Sequence, residues 1–216
     1  MEKIKIKLWV HKILKILKWA FLVLVGLFII LVIGRGIYRV NEAKTDEQVI
    51  KIHNTKLTMD DVMGTNLPPD PGALADATVE GIDANNNGIR DDVERAIFKE
   101  YPNSAKTRAV LLQYALVLQM EVVQPMVNTK TATEVITEES RTHTCVGDVL
   151  VPRKSLESDR NNEEVDKIYT YINFIENKQL NTDMRKNAHN NFLKYMRSFG
   201  ESTNKICDID VSKLPN

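Results

Sequence analysis

Asp83, Asn85, Asn87, Asp91 and Glu94 place oxygen-bearing side chains at positions 1, 3, 5, 9 and 12 of one twelve-residue stretch, with Gly88 at position 6. A calcium ion takes six to eight oxygen ligands at about 2.3–2.6 Å, so a segment that wraps it must supply oxygens from alternating positions and then turn sharply. Asp83, Asn85 and Asn87 would each offer one oxygen, Ile89 its backbone carbonyl, Asp91 an oxygen directly or through water, and Glu94 both carboxylate oxygens. Gly88 stands where the chain needs a positive φ, which glycine adopts without a Cβ penalty. Without any metal, the same Asx-rich turn followed by Asp91 and Asp92 would also suit a helix N-terminus, where acids complement orphan amides and the helix dipole. That reading leaves Glu94 at position 12 unexplained.

The full spacing resembles an EF-hand calcium loop. Within that class, Gly88-Ile89-Arg90-Asp91 is more similar to the extracellular thrombospondin-type and bacterial surface-adhesin calcium loops than to calmodulin-type hands. A calmodulin-type hand carries an aliphatic residue at position 8, where this chain has Arg90. The resemblance covers residues 81–94 and implies a loop without a proper entering helix. Pro68, Pro69, Pro71 and Gly72 agree, since they leave room for only a turn or two before Gly81. Two neutral amide ligands and Arg90 within the loop imply weak binding, on the order of 10⁻⁴–10⁻³ M. No second loop follows: Asp159–Asp166 lacks the glycine.

The N-terminus implies a membrane anchor. Residues 1–18 form a basic amphipathic segment in which Ile6, Trp9, Val10, Ile13, Leu14 and Leu17 recur at helical spacing opposite His11, Lys12, Lys15 and Lys18. Trp19 to Gly34 is uncharged and apolar and would run about 24 Å as a helix, so a transmembrane signal anchor is expected over 19–38. The preceding lysines mark the cytoplasmic side and place the rest of the chain outside the cytoplasm, in the periplasm or at the cell surface. Gly34-Arg-Gly36 leaves cleavage open. Residues 1–40 hold eight Lys/Arg against one acid, leaving 21 against 28 in the remainder. That acidic balance argues against a nucleic-acid partner. Cys145 and Cys207 could form one disulfide in an oxidising compartment or stand as two thiols.

The pattern predicts a mainly α protein in which a calcium loop opens a helical domain of about five helices over 91–200. Residues 39–80 read as a tether, with a capping box at Thr58–Asp61 starting a very short helix. The expected helices run over 91–100, 104–123, 132–150, 162–177 and 182–199, with Gly200 as the last C-cap and an irregular tail over 201–216. Tyr195, Met196 and Phe199 are expected on a core face, and Glu138-Glu139 and Glu163-Glu164 on solvated ones. Catalysis is not expected. His143 and Cys145 lie two residues apart and would point in different directions on a helix, and the four histidines are too scattered for zinc. The function classes left are an anchored binding or assembly module braced by calcium, with a protein partner in the same envelope, a calcium-responsive switch, and less readily an enzyme.

Overall fold

In the computed structural model, residues 2–125, 127–155, 159–202 and 204–215 are described, with the side chains of residues 2–8 left out. The chain forms two compact units, residues 1–47 and 48–216. The first contains most of α1 (Glu2–Asn54), whose most apolar eighteen-residue window has a mean hydropathy of 2.9 and is long and apolar enough to cross a membrane. Of the expected amphipathic face, Ile6 lies outside the described side chains, and Trp9, Val10, Ile13, Leu14 and Leu17 are exposed to the surroundings.

The expected tether over 39–80 is corrected in two ways. Residues 39–54 continue α1, because no proline or glycine lies between Gly36 and Asn54 and Glu42-Ala43-Lys44 are strong helix formers. Residues 48–80 then belong to the second unit, where Ile52, Leu57, Val62 and Ala75 are buried. The Thr58 capping box starts α2 (Met59–Met63), which ends at Gly64 in the left-handed region, and a 3₁₀ turn covers Gly72–Asp76. Arginines anchor this irregular stretch. Arg108 donates through Nε to the Val62 carbonyl, Arg95 to that of Pro68, and Arg185 to those of Ala75, Thr78 and Val79. A guanidinium presents several donors in a fixed fork, so it can satisfy carbonyls that no secondary structure pairs.

The remaining helices are α3 (Asp91–Glu100), α4 (Ala105–Val123), α5 (Thr129–Leu150), α6 (Asn162–Gln179) and α7 (Asp183–Leu193). No strand occurs among the described residues. Apolar residues on every side of α4 make it the central helix, and it packs against α2, α3, α5, α6 and α7. Asn128 supplies a capping box that starts α5 earlier than expected, at Thr129. Helix α7 stops at Leu193 and Gly200 is no cap. Leu193 still packs against the core, but beyond it the expected core stripe is uncovered and Tyr195, Met196 and Phe199 are exposed. Cys145 and Cys207 form a disulfide that fixes the tail to α5.

Candidate metal centre

The loop is wound by its own first residue. Asp83 accepts hydrogen bonds from the backbone N–H of Asn87 (3.1 Å) and of Gly88 (2.9 Å). Asn87 Oδ1 accepts from Ile89 N–H (2.9 Å), and Asp91 Oδ1 from Ala84 N–H (2.9 Å). Asn86 and Gly88 take positive φ of 57° and 87°, which completes the turn. A Cβ on Gly88 would lie 2.7 Å from Leu116 Cδ1, so any larger residue there would also have to displace that side chain on α4. Ile89 is fully buried and pins the loop to the core, and the chain passes directly into α3.

Arg90 is buried, and its guanidinium is spent elsewhere. It donates to both oxygens of Asp92 and to the Gln179 carbonyl. The Arg90 charge is thus paired with Asp92, and its guanidinium ties the loop to the end of α6.

Glu94 is completely buried. Its Oε1 accepts from Asn87 Nδ2 (2.9 Å) and its Oε2 from Asn85 Nδ2 (3.2 Å). Burial pushes its carboxyl up to about 7, and the charges of Asp61 and Asp91 add to that. Burial also raises Asp91, aided by Asp83 and Asp92.

Asp61 on α2 is the residue that the sequence reading missed. It is 3 % exposed and accepts from Thr58 N–H (2.8 Å), Thr58 Oγ1 (2.6 Å), Asn66 Nδ2 (3.0 Å) and Asn87 Nδ2 (3.2 Å). Burial works against its ionisation, but these hydrogen bonds prevail and hold its carboxyl below the usual value. The capping box announced its role in α2, but nothing local could signal that it meets a loop twenty-odd residues later.

The donor chemistry fits calcium, since the set is entirely oxygen, half of it carboxylate. None of Asp61, Asp83, Asp91 and Glu94 has a Lys, Arg or His ion-pair partner among the described residues. The Asn85 and Asn87 amide groups stand between the carboxylates with their NH₂ ends turned inward, and the two ends of an amide have nearly the same shape. Binding a cation requires both amides to present oxygen instead. In the present arrangement no three His, Cys, Asp or Glu side chains among the described residues converge closely enough to hold a metal by themselves.

Outside the loop, Cys145 has no free thiol, because its sulfur is bonded to Cys207. His143 lies edge-on to Tyr114, with ring centroids 4.9 Å apart, and His189 Nδ1 is 2.8 Å from the buried Glu121 carboxylate. Glu163 is solvated, but Glu138 is not, which corrects the solvated-face reading of Glu138-Glu139. Its carboxylate meets Lys56 Nζ (2.8 Å), Arg141 Nη2 (2.7 Å) and Asn204 Nδ2 (2.8 Å). No protein-family model, curated protein or solved structure matches this chain.

Proposed function

We propose that this protein is a membrane-anchored, extracytoplasmic calcium-binding module, with Asp83, Asn85, Asn87, Ile89, Asp91 and Glu94 as ligands and calcium as a structural brace for a domain that binds an envelope protein partner. The single observation that carries this reading is a loop in which the buried Asp91 and Glu94 and the half-buried Asp83 gather without forming an ion pair among the described residues. Calcium would supply the missing positive charge, and the chain's own residues would orient it: Asp83 winds the loop, Ile89 fixes it to the core and α3 carries Asp91 and Glu94. A brace is favoured over a switch because Ile89, Val93 and Ile97 are fully buried, so α3 has little freedom to swing when the loop fills. The apolar α1 and the lysines before it support an anchor with its N-terminus in the cytoplasm. The Cys145–Cys207 disulfide supports an oxidising compartment for the domain.

Calorimetric titration of the full-length protein in detergent with calcium tests the reading. Saturable binding that Glu94→Gln removes is expected. Absence of binding in the wild-type protein, or unchanged binding in the variant, would sink it. Circular dichroism over the same titration separates brace from switch: a raised melting temperature without a change of helix content supports the brace.

A further inference from the structure

The loop is not sealed by its own twelve residues. Asp61 comes from α2, twenty-two positions before Asp83, and its Oδ1 faces the loop across the Asn87 amide. That one Asn87 nitrogen donates both to Asp61 Oδ1 (3.2 Å) and to Glu94 Oε1 (2.9 Å), so a single NH₂ separates two buried carboxylates. When the amide turns its oxygen inward, Asp61 Oδ1 keeps only the Asn66 donor and Glu94 Oε1 loses the Asn87 donor, so a cation there would face both oxygens at once.

Asp61 is also held ready. Its other oxygen is fixed by the Thr58 N–H and hydroxyl, which leaves Oδ1 for Asn66 and the loop. The short helix that carries it is locked against α3 at Gly64, where a Cβ would lie 2.6 Å from Phe98 Cε1. Arg108 stacks over the Phe98 ring at 4.7 Å and donates to the Val62 carbonyl, so the same guanidinium holds both helices. A ligand carried on rigid elements loses little freedom when the metal arrives.

We infer that Asp61 is a further ligand of the calcium ion, supplied from outside the loop, so that the metal ties α2 to α3. This inference rests on the calcium reading above. It raises the carboxylates around the ion from Asp83, Asp91 and Glu94 to four, and more ligand charge on a rigid frame means tighter binding than the loop alone would give.

The test is calcium titration by calorimetry on the full-length wild-type protein and on Asp61→Asn, Thr58→Ala and Glu94→Gln. Asp61→Asn is expected to weaken affinity by about tenfold or more. Thr58→Ala removes the hydroxyl that steadies α2 but keeps the carboxylate, and should stay within about threefold of wild type. Equal affinity for wild type and Asp61→Asn, or an equal loss in Thr58→Ala, overturns the inference while leaving the calcium reading intact. A wild-type protein that binds no calcium overturns the calcium reading itself. Should Asp61→Asn fail to fold, the Asp61 side-chain carboxyl ¹³C resonance of the wild-type protein decides: a shift on adding calcium supports ligation, and none overturns it.

Discussion

Gly88 carries more of the loop than a flexible residue would. Its φ of 87° and the 2.7 Å approach that a Cβ would make to Leu116 Cδ1 combine backbone strain with a collision against α4. Gly88→Ala is therefore expected to lower stability by about 1–3 kcal/mol, read from urea or thermal unfolding, even with calcium removed. Arg90 shows the limit of reading such positions locally. Its place in the loop suggested a charge acting on the ligands, yet its guanidinium lies among Asp92 and the last carbonyls of α6. The ligand spacing was legible from residues 83–94 because it is a property of one continuous stretch. Asp61 was not, because its approach to Asn87 depends on how α2 packs on α3 and α4.

At the scale of elements, the C-terminal tail is attached to α5 in two ways. One is the disulfide, which closes a span of 62 residues between Cys145 and Cys207. Replacing both cysteines by serine is expected to cost roughly 4 kcal/mol by the chain-entropy relation, measured as a shift in denaturant midpoint. The other is a buried ionic group in which Arg141 bridges Glu138 and Asp208, while Ser202 and Asn204 of the tail reach Glu138. Burial pushes the Glu138 carboxyl up, but the Lys56 hydrogen bond and the Arg141 charge outweigh it and hold the group at about 2. A carboxyl lowered on folding stabilises fully above its unfolded value near 4.5, and that contribution fades as pH falls toward about 2. Urea unfolding should accordingly show stability dropping between about pH 4.5 and pH 2, with a shallower slope in Glu138→Gln. The acid pair at 138–139 gave no hint of this, because which face of α5 is covered depends on a tail more than sixty residues away in sequence.

At the scale of the whole molecule, the boundary between the two units differs from the one that the composition suggested. Residues 39–80 are not a spacer: the first part extends α1, and the part from Gln48 onward builds the second unit. Under the proposed topology, a reporter enzyme that functions only outside the cytoplasm should be active when fused after residue 216, and one that functions only inside should be silent. The opposite pattern would reverse the orientation. Deleting residues 48–63 should unfold the domain instead of shortening a leash, because Ile52, Leu57 and Val62 are in its core, and loss of the cooperative thermal transition would report it.

The sequence by itself determined what is written in local periodicity and in contiguous spacing: an apolar helix fit to cross a membrane, the starts of α3 and α4 and the oxygen pattern of the loop. Tertiary structure decided what depends on contacts distant in sequence. It placed Asp61 beside Asn87, turned Arg90 toward α6, buried Glu138 beneath the tail, drew residues 48–80 into the core and ended α7 at Leu193. The physical reason is that burial and ion pairing are set by which surfaces meet, whereas helix periodicity and ligand spacing are carried by neighbours along one chain.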